Sequence, residues 1–249
     1  MIEAVGVVVP AHDEEELLPA CLAGLAEAAA MATAERPGLR VRIVVAADAC
    51  GDGTVAVAER AGAEVVSLTA RNVGLARAAG LDALLRPGSP GEPPAPGTLW
   101  LATTDADSVV PANWLSGQLR QAEAGWDAVV GTVTVTNWTG YADTAVREFA
   151  RRYGTWQDWH PHVHGANLGF TAAAYQAVGG FPALRTGEDR ALVRSFQASG
   201  FRVLRSAAVS VITSARARYR APAGFGHDLA TLNDGGGPLL GLRGGAAGV

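Results

Sequence analysis

Short apolar runs that stop at acidic or glycine-bearing turns recur through the first hundred residues, and a helix-length segment separates each from the next. Residues 5–9, Val-Gly-Val-Val-Val, close on Pro10, and residues 41–46, 64–68 and 99–103 repeat the pattern. Runs this short, β-branched and continuously apolar read as strands covered on both faces, as in a parallel sheet. The intervening segments are helical in pattern. One opens with Ala11-His12-Asp13-Glu14-Glu15-Glu16 and runs to about Ala34, and others cover 55–61 and 75–85. Acidic residues in a first turn suit the helix macrodipole. Strand and helix alternating at this interval predict an α/β fold: a doubly wound, mostly parallel central sheet flanked by helices. At 249 residues, one domain accounts for the chain.

Residues 87–97 hold five prolines and three glycines and predict a surface loop before the strand at 99–103. Beyond it, 111–123 reads as helix, 128–136 as strand, 143–156 as helix, 167–171 as strand and 172–178 as helix. Gly179-Gly180-Phe181-Pro182 is a turn. A helix then runs from Thr186-Gly187-Glu188-Asp189 to near Gly200, and 201–204 and 207–211 read as two closing strands. Residues 1–233 form the expected domain, and 234–249 a Gly-rich flexible tail.

The run at 99–103 leads into Thr104-Asp105-Ala106-Asp107-Ser108. On extended backbone, side chains two apart share a face, so Asp105 and Asp107 point the same way. In open α/β sheets ligands gather outside the carboxyl ends of the strands. Two carboxylates there repel unless a cation joins them, and magnesium takes one or two carboxylates plus substrate phosphates. The competing reading is a polar strand end that caps the next helix. Composition narrows the chemistry. All 20 basic residues are arginine, which excludes a Schiff-base lysine and a phosphate-loop lysine. A net charge of −4 offers no general attraction for nucleic acid. Cys21 and Cys50 form no Cys-x-x-Cys pair. No apolar stretch reaches the ~18 residues of a membrane span, and no basic leader precedes residue 5. A cytoplasmic enzyme without a transmembrane segment is the expectation.

Five motifs stand in order: Val7-Val8-Val9-Pro10-Ala11-His12-Asp13-Glu14, Val45-Ala46-Ala47-Asp48-Ala49-Cys50-Gly51-Asp52-Gly53-Thr54, Asn72-Val73-Gly74-Leu75-Ala76-Arg77, Asp105-Ala106-Asp107, and Gly187-Glu188-Asp189 after Gly165-Ala166-Asn167 and Gly179-Gly180-Phe181. Over residues 4–230 they resemble the family 2 glycosyltransferases of the GT-A fold, within the nucleotide-diphospho-sugar transferases. The resemblance implies a nucleotide-binding half to about residue 110 and an acceptor-binding half over 111–233. It implies transfer of a sugar from a nucleotide-diphosphate donor, UDP-linked, to a hydroxyl on a small-molecule, glycan-linked or lipid-linked acceptor, with Mg2+ or Mn2+. Pro10, His12, Glu14, Asp48, Asn72, Arg77 and Asp105 would then meet the nucleotide, and Asp107 the metal, with His227 as a further ligand. Asp189 would be the general base of an inverting transfer, beside Glu188, and Gly165, Asn167 and Trp159 would meet the acceptor. The family's first acidic residue of the second motif is replaced here by Ala47.

Each role has a structural competitor. Asp48 suits an Asx turn. Arg77 suits a diphosphate fork or a solvated helix face, with Arg71 as a second candidate. Thr186 followed by Asp189 approximates a capping box. His160, His162 and His164 share a face if extended, which suits zinc, yet Pro161 interrupts them and an acceptor-pocket or loop role is preferred. Trp156 and Trp159 suit sugar stacking, or a core or lid. A dinucleotide-binding oxidoreductase would need Gly-x-Gly-x-x-Gly after the first strand, which is absent. A glycosyltransferase-like protein that binds nucleotide without turnover, and a sugar-phosphate nucleotidyltransferase, remain as alternatives.

Overall fold

The computed structural model describes residues 1–86, 95–154, 159–216 and 224–233. Strand β1 (Ala4–Ala11) lies parallel to β2 (Arg40–Asp48) on one side and β4 (Leu99–Thr103) on the other, and β3 (Glu64–Leu68) adds in parallel beyond β2. Past β4 the sheet turns mixed. Strand β7 (Leu168–Thr171) is antiparallel to both β4 and β6 (Ala128–Thr134), and β8 (Val203–Thr213) is parallel to β6. The two-residue β5 (Ser108–Val109) pairs antiparallel with β8, so the order is β3-β2-β1-β4-β7-β6-β8-β5.

Helices α1 (Leu18–Glu35), α2 (Thr54–Arg60) and α3 (Val73–Leu85) make the crossovers among the first four strands. Helix α4 (Trp114–Glu123) precedes β6, and α5 (Asp143–Tyr153), α6 (Ala172–Ala177), α7 (Glu188–Ala198) and α8 (Phe225–Asn233) complete the described set. Alternation along β1 explains the double cover. Val5, Val7 and Val9 enter the core built with Leu18 and Leu25 of α1 and Leu115 and Leu119 of α4. Ala4 and Val8 enter the opposite core, with Leu81 and Leu84 of α3 and Leu192 and Phe196 of α7. Both faces of the strand are apolar because both are buried.

The chain leaves β1 toward β2 on one side and returns from β3 to β4 on the other, so the topological switch lies between β1 and β4. A crevice outside the carboxyl ends of those strands is the expected ligand site. Two antiparallel steps bring β6 and β8 back into the direction of β4, so their carboxyl ends reach the same edge.

Local expectations change in several places. Strand β1 continues through Pro10 to Ala11. Val8 O accepts from Thr104 N on the β4 side, and Pro10, two residues on, turns its missing N–H toward that same side, where β4 has ended. Helix α1 starts at Leu18, not Ala11. Asp13 adopts φ 53°, and its acidic neighbours reach across to the loop after β2: Asp13 Oδ1 accepts from Gly51 N (2.6 Å) and Glu15 Oε2 from Gly53 N (2.7 Å). The acidic cluster is therefore a loop-to-loop tie, not a helix first turn. The two closing strands are one strand, β8, whose register against β6 shifts between Gly131 and Thr132. Asn167 ends a 3-10 turn, Gly165–Asn167, before β7 begins. The capping box is not formed: Gly187, at φ 75°, is the N-cap of α7 and no side chain caps it. Residues 87–94, Trp156 and the tail lie outside the described residues. Among the described residues no helix is long and apolar enough to cross a membrane.

Candidate active site

A cavity of about 380 Å³ opens at the predicted edge of the sheet. One wall is Pro10 near the end of β1, His12 and Glu14 beyond it, Asp48 at the end of β2, Asn72 and Arg77 at the start of α3, and Asp105 and Asp107 after β4. The facing wall carries Gly165, Glu188 and Asp189. Three of the named candidates are not among its lining residues: Asn167, Trp159 and His227.

Arg77 organises the floor. It is 3 % exposed, and its guanidinium donates to Asp105, to Glu188 and, through Nε, to Thr103 Oγ1 at 3.1 Å. Burial works against the charge, and the carboxylates of Asp105 and Glu188 outweigh it. The ring of Phe181, from the Gly-Gly-Phe turn, lies 5.8 Å from Arg77 Cζ. Gly165 is required beside it, because a Cβ there would overlap the guanidinium. The guanidinium expected to meet diphosphate thus donates to three protein groups, and it joins the loop after β4 to the start of α7. Arg71 is exposed at the same cavity, with φ 49°.

Asp48 is 4 % exposed and ties two loops: its oxygens accept from Arg71 N (2.8 Å) and Asn72 N (2.7 Å). Its carbonyl accepts from His12 Nδ1 at 2.7 Å. Asn72 caps α3, accepting from Leu75 N (3.1 Å), and donates to Ala183 O (3.3 Å). The loop-organising role of Asp48 and the cap at Asn72 are what their hydrogen bonds show. Next to them Asp13, Cys50 and Asp52 form a group whose potential ligand atoms lie within 4.8 Å, but Asp13 and Asp52 accept from Gly51 N, Glu15 N and Thr54 N and so tie the loops after β1 and β2 together.

Asp107 sits deeper. Burial, with Asp105 and Glu14 nearby, pushes its carboxyl up to about 6 against the pull of Arg216. Arg216, just past β8, holds Glu14 with two bonds of 2.6 Å and approaches Asp107 Oδ2 at 3.1 Å. Sequence reasoning missed Arg216, since only the direction of β8 brings the end of that strand to this edge. It also missed Asp228, which is buried and lines the cavity on α8 next to His227.

On the facing wall, Asp189 accepts from Gly165 N (2.8 Å) and from its neighbour Arg190 N (2.6 Å). Burial holds it above the usual carboxylate range, and Arg77 opposes that rise. Glu188 is raised by burial in the same way. Asn167 lies behind this wall. It accepts from Trp114 Nε1 (2.9 Å) and donates to Thr132 O (2.8 Å) and Val209 O (2.9 Å), so its amide is a packing joint between β6, β8 and α4. Trp159 is 58 % exposed. The three alternating histidines do share a face, stacked at 6.1 and 6.0 Å between ring centroids. Only His164 reaches the cavity. His160 Nε2 bonds Val130 O and His162 Nε2 bonds Tyr153 O, both at 3.0 Å, which places them in the core and not around a metal.

No curated protein matches the sequence. Solved structures match over most of the chain. S. aureus TarS 1-349 aligns with a TM-score of 0.60 at 14 % identity, over 85 % of this chain and 60 % of that one. The mannosyltransferase PcManGT from Pyrobaculum calidifontis aligns at 0.59 and 21 %, over 86 % of this chain and 57 % of that one. M. tuberculosis glucosyl-3-phosphoglycerate synthase aligns at 0.54 and 14 %, over 95 % and 82 %. The chain therefore spans about 60 % of the length of the TarS structure. Likeness at these identities establishes the shared GT-A architecture. The family described as Glycosyl transferase family 2 matches residues 6–179, and with that match over most of its length this chain belongs to glycosyl transferase family 2.

Proposed function

We propose that this chain transfers a glycosyl group from a nucleoside diphosphate sugar, uridine-linked, to a hydroxyl acceptor, with inversion. The observation that carries the reading is one cavity with Asp105 and Asp107 at the switch point on one wall and Asp189 on the other. Donor class is supported by solved relatives: TarS 1-349 in complex with UDP-GlcNAc, and PcManGT with GDP-Man and Mn2+.

Asp189 is the proposed base. Its two backbone donors fix the carboxylate in place, and its raised proton affinity suits removal of a hydroxyl proton. The acceptor oxygen forms its bond to the anomeric carbon as the bond to the diphosphate oxygen breaks. The proton goes to Asp189 and the electron pair leaves with the nucleoside diphosphate.

The donor set on the first wall fits Mg2+ or Mn2+. Asp107 and Asp105 offer hard oxygens, and Asp228 lines the same space. Asp107 would hold the ion, with Asp105, pinned by Arg77, behind it. A bound ion supplies charge stabilisation to the departing diphosphate.

Calorimetric titration of UDP, GDP and TDP, with and without Mn2+, tests the reading on the wild type and Asp107→Asn. One nucleotide is expected to bind in a Mn2+-dependent way, with affinity at least about tenfold weaker in the variant. Absence of binding by all three overturns the proposal, and binding indifferent to both Mn2+ and Asp107 removes the metal from it.

A further inference from the structure

Arg216 joins two carboxylates of the cavity, Glu14 and Asp107, with which Arg77 makes no hydrogen bond among the described residues. Its contacts are unequal. Two parallel bonds of 2.6 Å fix it to Glu14, which is 6 % exposed, whereas Asp107 Oδ2 is met by a single nitrogen at 3.1 Å. A bidentate guanidinium–carboxylate pair inside protein is the strong form of this interaction, and a single longer contact the weak one. The guanidinium is therefore anchored on the loop after β1 and leans on Asp107.

We propose that Arg216 is a built-in counter-ion that competes with a divalent cation for Asp107 and makes cation binding conditional on the nucleotide. This rests on Asp107 being the metal ligand of the reading above. A cation arriving at Asp107 would displace its Arg216 contact and stand beside a guanidinium that Glu14 holds in place. Like charges so close in a partly buried site repel strongly. A diphosphate carries negative charge into the same space and offsets that repulsion. Cation and nucleotide consequently bind with positive coupling, and by linkage each raises the affinity of the other by the same factor. Arg77 does not do this, because its guanidinium is held by Thr103, Asp105 and Glu188 and has no contact with Asp107.

The test is titration of the full chain with Mn2+ alone, followed by the electron paramagnetic resonance signal of free Mn2+, and then with Mn2+ in the presence of saturating UDP. It is run on the wild type, Arg216→Gln, Arg216→Lys and Asp107→Asn. Arg216→Gln is expected to bind Mn2+ alone about tenfold tighter than the wild type, and to lose the same factor from the enhancement given by UDP. Arg216→Lys keeps the charge and is expected to behave like the wild type, which separates charge from packing. Far-UV circular dichroism checks that each variant is folded. If Arg216→Gln does not fold, the wild type and Arg216→Lys still decide: Mn2+ affinity that UDP leaves unchanged in both overturns the proposal. Equal Mn2+ affinity in Arg216→Gln and wild type, with equal enhancement by UDP, also overturns it while leaving Asp107 as a ligand. Mn2+ binding that survives Asp107→Asn undiminished, or is absent throughout, overturns the metal reading beneath it.

Discussion

Glu14, Asp105, Asp107 and Glu188 line the cavity with Arg77 and Arg216 among them, while His162 and His164 pack their rings against Tyr153 and His160 stacks on His162. Both are dense clusters of titratable groups in one domain. The first holds guanidiniums between its acids, and burial pushes the Asp107 carboxyl up to about 6 against the pull of Arg216. The second is kept neutral. Burial pulls His162 down to about 4 and His164 to about 3, and their rings pack as aromatic plates, His162 at 4.1 Å from the Tyr153 ring. A cluster that retains opposite charges at a cavity is equipped for an ionic ligand; one that sheds its charge serves packing.

The largest expected effect comes from breaking the ionic cluster at its centre. Arg77→Ala leaves Glu188 buried without its partner and Asp105 unpaired beside it, and is expected to cost about 3–5 kcal/mol, read from urea denaturation. A loss within experimental error would mean that the acids relax to solvent and that the cluster is looser than its geometry. Next is the joint at Asn167 between β6, β8 and α4. Asn167→Ala strands two carbonyls and the Trp114 N–H, at a cost of about 3 kcal/mol in stability. Nucleotide affinity should stay within twofold, whereas a contact with ligand would change it while sparing stability.

The histidine cluster is tested by pH. Its folded-state proton affinities are depressed, so the unfolded chain binds more protons, and stability falls as pH drops below the ordinary histidine range toward 4. Each histidine contributes a slope of up to about 1.4 kcal/mol per pH unit. His162→Phe keeps the stacking and should flatten that slope by one histidine, at the cost of the bond to Tyr153 O, about 1 kcal/mol at neutral pH. An unchanged slope would remove His162 from the account. The smallest effect is expected at Trp159, which is 58 % exposed: Trp159→Ala should alter stability by under about 0.5 kcal/mol. A larger drop in a thermal melt would give it a packing role.

The parallel half was legible because its code is local. β-Branched runs on a two-sided sheet, Asn72 ahead of α3 and the acidic pair after β4 each act within a few residues, and their order carried the family. What a side chain does at the site was less legible. Arg77 reads as a fork for phosphate until Thr103, Asp105 and Glu188 surround it, and Asn167 reads as an acceptor contact until Trp114, Thr132 and Val209 take its amide. The three histidines alternate like metal ligands, and their burial among aromatic rings decides against it.

By itself the sequence determined a doubly wound α/β domain, its switch-point carboxylates and its family, because periodicity and motif order are properties of neighbouring residues. Only the tertiary structure decided which carboxylate each guanidinium holds. Glu14 and Arg216 are 202 positions apart and Arg77 and Glu188 are 111, and pairing at that range depends on strand direction and on what is left in low dielectric after the core has formed.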